Sequence, residues 1–144
     1  MTVVTRTCSV SANPVESTIP ASSVAVPAGF PSPAQDYFDS DIDLNKHLIP
    51  SRTSTFVVRV SGDSMVGAGI SDGDEIIVDR ALKPADGNVI VAVLDGELTV
   101  KRLRIGHAGV VLTAENPAYP DIPVPELADF SCWGVVTRCL HRLL

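Results

Sequence analysis

Long apolar runs, aromatic residues and basic residues are all scarce in this chain of 144 residues, and each shortage excludes a class of protein. No uninterrupted apolar run approaches the length of a transmembrane helix, so we expect no membrane span. Aromatic residues make up 5% of the chain against 45% hydrophobic residues, so the core must consist of Val, Ile, Leu and Ala. With 11 Lys and Arg against 17 Asp and Glu, the formal charge is -6, which argues against tight direct binding of DNA.

Cysteine is scarce as well. Three cysteines are an odd number and too few for a disulfide framework, which fits a reducing cytoplasm. Cys132, Cys139 and His141 are too few and too badly spaced for a zinc site. Residues 71–75 lack the ligand spacing of an EF-hand and are interpreted as a solvated turn. We therefore expect no metal and no cofactor.

The charge divides unevenly along the chain. Residues 1–28 contain one base, Arg6, and one acid, Glu16, so the whole charge of -6 falls on residues 29–144. The first segment is rich in Ser, Thr, Val, Ala and Pro without a period of 2 or 3.6, which indicates a flexible tail or an extended arm. It lacks the basic start and continuous apolar block of a signal peptide. The chain thus divides into an N-terminal arm and one domain.

The rest of the sequence predicts one short helix followed by strands. Residues 39–49 predict a helix that Asp39 or Ser40 caps, with Leu44 and Leu48 facing the core. Short strands separated by turn signals then predict a mostly β domain, either a sandwich or a small barrel. The predicted strands are residues 55–60, 75–79, 88–94, 97–105, 109–114 and 131–137, with a hairpin turn at Asp95 and Gly96.

Ser64 is the candidate nucleophile. It follows a predicted strand, and the glycines around it permit a sharp turn that presents its hydroxyl and directs its own N–H toward an oxyanion. The alternative, an ordinary loop serine, remains open. The sequence is not the Gly-x-Ser-x-Gly elbow, because Val66 stands where the second glycine is required.

Histidine does not supply an evident base for that serine. His47 falls on a polar helix, His107 on a turn and His141 in the C-terminal tail. In such positions we expect solvated side chains without a catalytic role.

Lysine supplies a better candidate base. Of the three lysines, Lys46 and Lys83 are expected in solvent, whereas Lys101 lies inside a predicted strand. The period of 2 places Lys101 on one face with Thr99, Leu103 and Ile105. Lys101 is then either an edge residue that blocks strand pairing or a buried base whose pKa is lowered by desolvation. A neutral lysine can accept a serine proton.

These residues lie within short blocks that resemble the UmuD/MucA proteins of the LexA-type self-cleaving serine–lysine peptidases. The blocks occur in the same order as in that family and cover most of residues 28–144, whereas residues 1–27 show no such likeness. They are GFPSPA from Gly29, IDLN from Ile42, SGDSM from Ser61, GISDGD from Gly69, IVD from Ile77, DGELTVKRL from Asp95, NPAYP from Asn116 and GVV from Gly134.

The resemblance implies a role for each matched residue. Ser64 would be the nucleophile and Lys101 the general base, and the backbone N–H groups of Asp63 and Ser64 would form the oxyanion hole. Ala28–Gly29 would be the scissile bond, which the chain cuts in itself, so that residues 1–28 are a removable arm and residues 29–144 the peptidase and dimerisation domain. The implied fold is a LexA C-terminal or signal-peptidase-like β domain of short twisted strands, with an extended arm and one short helix.

The implied function is that of a cytoplasmic SOS-response protein. A RecA filament on single-stranded DNA would stimulate the cut, and the shortened homodimer would join a UmuC-type Y-family translesion polymerase. A signal peptidase would need a membrane anchor, and a LexA-like repressor a DNA-binding helix-turn-helix, and neither is expected here. Two alternatives remain: a non-catalytic dimeric β adaptor with a vestigial Ser64 and Lys101, and a general protease. Cleavage within one chain or between partners is left open.

Overall fold

A computed structural model of the protein describes residues 3–11, 13, 15–23, 25–30, 40–125 and 129–144. The chain forms two compact units, Met1–Val10 with Ser51–Leu144 and, separately, Ser11–Pro50. Among the described residues, no helix has the length and apolar character needed to cross a membrane.

The described residues form ten strands and one short α-helix. In chain order the elements are β1 (Val3–Ser9), β2 (Thr18–Ala21), β3 (Ser40–Asp43), α1 (Leu44–Leu48), β4 (Thr55–Ser61), β5 (Glu75–Asp79), β6 (Val89–Leu94), β7 (Glu97–Gly106), β8 (Gly109–Thr113), β9 (Ile122–Val124) and β10 (Phe130–Leu140).

The first unit is an antiparallel sheet. Neighbouring strands follow the order β1-β4-β5-β10-β6-β7-β8-β9, and β1 also meets β7 where Val3 lies opposite Thr99. This additional pairing connects two separated strands of the sheet, as in a small barrel. The prediction of a mostly β domain with one short helix is therefore confirmed.

Aliphatic side chains fill the interior of the first unit, as the composition predicted. The strands are rich in β-branched residues, which suit the pleated, buried surface of a sheet. One buried cluster consists of Val58, Val60, Met65, Ile70, Ile76, Val78, Val91 and Val100. A second consists of Ile90, Ala92, Leu103, Leu112 and Val135.

All six predicted strands are present, as β4 to β8 and β10. The predicted hairpin turn is also confirmed, because Leu94 pairs with Glu97 and the two turn residues, Asp95 and Gly96, have φ of 50° and 81°. Both residues in the left-handed region are typical of the two-residue turns that join twisted strands. Strands β1, β2, β3 and β9 were not predicted, since their sequences lack a sustained apolar alternation.

The predicted helix starts too early. Residues 40–43 form β3, which pairs with β2 and places Ile42 opposite Ile19, and the helix begins only at Leu44. Asp43 is the cap, because its Oδ1 accepts the backbone N–H of Asn45 over 2.9 Å; Ser40 is not, and Asp39 lies outside the described residues. Leu44 does not face a core, since 45% of it is exposed.

Two segments of the predicted arm are strands. β1 pairs with β4 in the first unit, and β2 pairs with β3 in the second. Both segments are extended. An extended arm was one of the two interpretations of the composition, the other being a flexible tail. The division of the chain at residue 28 concerns a cleavage product and stays a prediction.

Candidate active site

Ser64 lies in a tight turn that directly follows β4. Gly62 opens the turn with φ of 93°, a conformation that glycine adopts without strain, and its N–H donates to Asp72 Oδ1 over 2.7 Å. A short 3-10 turn, Val66–Ala68, follows the serine. Ser64 is fully buried, so it is not an ordinary solvated loop serine.

Lys101 approaches this serine from β7. Its Nζ lies 3.0 Å from Ser64 Oγ, although the two residues are 37 positions apart in the chain. β7 lies between β6 and β8, and Lys101 is only 1% exposed. Of the two interpretations of Lys101, the edge residue is therefore wrong and the buried lysine is right. Lys46 and Lys83 are exposed, as predicted.

The surroundings of Lys101 favour a neutral amine. Burial lowers the pKa of Lys101 below its ordinary value of 10.5. A neutral amine has two N–H donors and one lone pair. The Val100 carbonyl lies 3.1 Å and Thr99 Oγ1 3.3 Å from Nζ, so both donors have acceptors and the lone pair can face the Ser64 hydroxyl.

Thr99 is a part of the site to which the sequence pattern assigned no role. It is buried and shares with Lys101 the face predicted from the period of 2. Leu103 on the same face is also buried, whereas Ile105, near the strand end, is 49% exposed. The alternation thus predicted the neighbours of Lys101 correctly and failed only at the end of β7.

The segment after β8 links the strand of the lysine to the turn of the serine. Glu115 N–H donates to the Ser64 carbonyl over 2.9 Å, and the Glu115 carbonyl accepts the N–H of Gly67 over 2.7 Å. The Glu115 carboxylate pairs with Arg102, the residue directly after Lys101. Arg102 also donates to the Gly87 carbonyl over 2.7 Å. Serine and lysine are therefore held by one connected set of hydrogen bonds.

The predicted scissile residues, Ala28 and Gly29, lie in the second unit. Both are exposed, and Phe30 after them is 93% exposed. A Cβ added at Gly29 would meet no atom within 4 Å. Residues 31–39, which follow Phe30 in the chain, lie outside the described residues.

Comparison with known proteins identifies the family. A family model described as Peptidase S24-like matches residues 20–137. The chain belongs to this family. Protein SamA of Salmonella typhimurium is 46% identical over 129 residues, which cover 90% of this chain and 89% of SamA.

Two further relatives of this S24-like protein match it over similar lengths. Protein ImpA of Escherichia coli is 42% identical over 116 residues, covering 80% of this chain and 78% of ImpA. Protein MucA of Escherichia coli is 38% identical over 119 residues, covering 80% of this chain and 79% of MucA. The resemblance to the UmuD/MucA proteins is thereby confirmed.

The sequence did not predict a second polar cluster, which Asp74 forms with His141 and Cys139. Asp74 is 4% exposed, so residues 71–75 are not simply a solvated turn. Its Oδ1 lies 2.6 Å from His141 Nδ1, and its Oδ2 accepts the N–H of Ser71 over 2.7 Å and lies 3.3 Å from Cys139 Sγ. His141 therefore has a buried acidic partner, which was not predicted, whereas His47 and His107 are exposed.

Burial by itself would raise the pKa of Asp74, but the hydrogen bonds from Ser71, His141 and Cys139 outweigh it and lower this pKa. Burial and the nearby Asp74 carboxylate together raise the pKa of Cys139 to about 11. Within the described residues, no group of three or more His, Cys, Asp or Glu side chains could hold a metal ion.

Trp133 lies beside the first buried cluster. Its ring is 5.5 Å from that of Phe56, and the Arg80 guanidinium lies 4.7 Å above it. Cys132 is partly buried against the second cluster.

Proposed function

We propose that this protein is a serine peptidase that cuts its own Ala28–Gly29 bond with Ser64 as nucleophile and Lys101 as base. The observation that carries the proposal is the 3.0 Å approach of two buried side chains, Lys101 Nζ and Ser64 Oγ, in a chain of the S24-like family. Because burial lowers the pKa of Lys101, a larger fraction of this lysine is neutral and able to accept a proton at a given pH than of a solvated lysine.

In the first half of the reaction, Ser64 Oγ attacks the carbonyl carbon of Ala28 while its proton passes to Lys101 Nζ. The backbone N–H groups of Asp63 and Ser64 would donate to the resulting oxyanion. Collapse of this intermediate breaks the bond between Ala28 and Gly29, and Lys101 returns the proton to the leaving amine of Gly29. Ala28 is left as an ester on Ser64.

In the second half, water attacks that ester. Lys101 takes one proton from the water and returns it to Ser64 Oγ when the ester bond breaks, so both side chains regain their starting state. The products are residues 1–28, with a new carboxylate, and residues 29–144, with a new amino group. Small side chains at positions 28 and 29 leave room for an extended segment to lie against the Ser64 turn.

The family supports a role in the SOS response. SamA, ImpA and MucA match across most of their own length, so the likeness is to whole proteins of this kind. We infer that a RecA filament on single-stranded DNA stimulates the cut, and that the shortened homodimer acts in the cytoplasm as a subunit of a UmuC-type Y-family translesion polymerase. The charge of -6 on residues 29–144 suits a protein that reaches DNA through partners rather than by direct contact.

A time course of self-cleavage tests the proposal. The purified chain is incubated at alkaline pH and, separately, at neutral pH with RecA filaments on single-stranded DNA, and the products are separated on gels. We expect cleavage of the natural chain and of Lys83→Ala, a control that removes an exposed lysine, and none of Ser64→Ala or Lys101→Ala. A natural chain that stays intact under both conditions would favour the non-catalytic adaptor, and cleavage of Ser64→Ala would refute the assigned nucleophile.

A further inference from the structure

The backbone carbonyl of Asp63 is held by a side chain that has no part in the reaction described above. Asn116 Nδ2 donates to Asp63 O over 3.0 Å. This carbonyl and the N–H of Ser64 are the two ends of one peptide group. Asn116 therefore contacts one end of the peptide whose other end is the proposed oxyanion donor.

Asn116 is itself fixed in place. Its Oδ1 accepts the N–H of Ala118 over 3.0 Å, and its backbone carbonyl accepts the N–H of Tyr119 over 3.0 Å. Such a turn orients the asparagine side chain before any substrate arrives. With Oδ1 directed to the backbone of its own turn, the amide nitrogen is directed to Asp63.

Two neighbours of Asn116 contact the same turn. Glu115 N–H donates to the Ser64 carbonyl over 2.9 Å, so two successive residues hold two successive carbonyls of the nucleophile turn. The Tyr119 hydroxyl donates to the Asp63 carboxylate. The hydrogen bond to that carboxylate raises the pKa of Tyr119, so the phenol keeps its proton to a higher pH than an ordinary tyrosine does.

A hydrogen bond to a peptide carbonyl has two effects on the N–H at the other end. It fixes the plane of the peptide and hence the direction of the N–H. It also polarises the peptide, which strengthens the N–H as a donor by roughly 10–30%. Both effects serve a donor that must already point to the place where negative charge develops.

We propose that Asn116 is a positioning residue for the oxyanion hole, which it completes by holding the Asp63–Ser64 peptide, and that Tyr119 supports it through the Asp63 carboxylate. The proposal rests on the proposed function, because it assigns a purpose to the Ser64 N–H only if Ser64 is a nucleophile. Under this proposal the two residues have separate roles. Lys101 transfers the proton, whereas Asn116 orients the N–H that stabilises the developing negative charge.

Asn116→Ala tests this role, with Asn88→Ala as a matched control. The Asn88 amide oxygen also accepts a backbone N–H in a turn, that of Ala85 over 2.9 Å. Two rates are measured: self-cleavage at alkaline pH, and labelling of Ser64 by a fluorophosphonate, whose phosphoryl oxygen occupies the oxyanion hole. We expect Asn116→Ala to lower both rates about tenfold or more, since removal of a whole oxyanion donor costs about 100-fold to 1000-fold. Asn88→Ala should leave both near the natural values.

The pH profile separates positioning from a general structural effect. Because Lys101 is untouched, the pH at half-maximal cleavage should be the same for Asn116→Ala and the natural chain. The thermal midpoint of Asn116→Ala should be close to that of Asn88→Ala. Rates within twofold of the natural chain, or equal losses in the two variants, would overturn the proposal.

Two further outcomes are informative. If Asn116→Ala does not fold, Tyr119→Phe, which removes one hydroxyl, should lower both rates about threefold; unchanged rates in that variant would overturn the proposal. If the natural chain neither cleaves itself nor labels at Ser64, the proposed function fails, and this inference falls with it. An active natural chain with a fully active Asn116→Ala variant overturns the inference alone.

Discussion

Lys101 Nζ lies 3.0 Å from Ser64 Oγ, and the structure buries both residues, with 1% of Lys101 and none of Ser64 exposed. A charged ammonium in this position would lose its hydration, which is why the pKa of Lys101 is lowered. Folding of the first unit thus favours the neutral form of an amine that lies beside a hydroxyl. The chemistry of the site depends on burial as much as on distance.

The rate of self-cleavage should rise with pH as Lys101 loses its proton. Because the pKa of Lys101 is lowered, the rate should reach half of its maximum at a pH below the ordinary lysine pKa of 10.5. Initial rates over a series of buffers measure this midpoint. Lys101→Arg should not cleave at any pH, since a guanidinium stays charged. A midpoint at or above 10.5 would contradict the buried base.

Substitution of Gly67 should destabilise the turn behind Ser64. A Cβ at Gly67 would lie 2.5 Å from the Glu115 backbone oxygen, so the backbone would have to shift. We expect Gly67→Ala to lower the free energy of unfolding by about 1–3 kcal/mol. Denaturant titration measures this loss. Gly106→Ala is the control, because its added Cβ would meet no atom within 4 Å, and equal losses in the two variants would contradict the close contact at Gly67.

The sequence predicted most of the first unit because its strands carry local signals. β5 has the predicted bounds, and the Asp95–Gly96 turn joins β6 to β7 as expected. Ser64 and Lys101 were recognisable as a pair because the resemblance names both and because the strand period places Lys101 beside Thr99. Burial of Lys101 distinguishes a buried base from an edge residue. It depends on the pairing of β7 with β6 and β8, which the sequence around Lys101 does not predict.

Contacts between distant residues were beyond the sequence pattern. Asp74 and His141 are 67 positions apart, and Asp63 and Asn116 are 53 apart, so neither pair has a spacing that predicts it. The pairing of β2 with β3 likewise joins two short exposed segments, and it replaced the start of the predicted helix. Such features follow from the tertiary fold rather than from local propensity.

Asp74 should stabilise the fold at neutral pH and cease to do so in acid. Its pKa is lowered in the folded state, so its contribution is present above the ordinary value of 3.8 and is lost as the pH falls through the folded value. Asp74→Asn should cost about 1–3 kcal/mol at neutral pH. Thermal unfolding from neutral pH to acid should show the difference shrinking, whereas Asp121→Asn, at an exposed carboxylate, should differ little throughout. A difference that persists unchanged into acid would contradict this assignment.

The three cysteines should differ in reactivity. Burial raises the pKa of Cys132, and burial with Asp74 raises that of Cys139 to about 11, whereas Cys8 is exposed. Since the thiolate is the reactive form, a thiol reagent at neutral pH should modify Cys8 fast and the other two slowly. Stopped reactions followed by mass spectrometry measure each rate. Cys8→Ser should remove the fast phase, and a fast phase that survives in this variant would show that a partly buried thiol is accessible.

The mass of the larger product of self-cleavage tests the central claim most directly. After incubation at alkaline pH, intact-mass spectrometry of the natural chain should give a product that comprises residues 29–144 and begins at Gly29, and the same incubation of Ser64→Ala should give the uncut chain alone. A product with another first residue would contradict the assigned bond, and a product beginning at Gly29 from Ser64→Ala would contradict the assigned nucleophile.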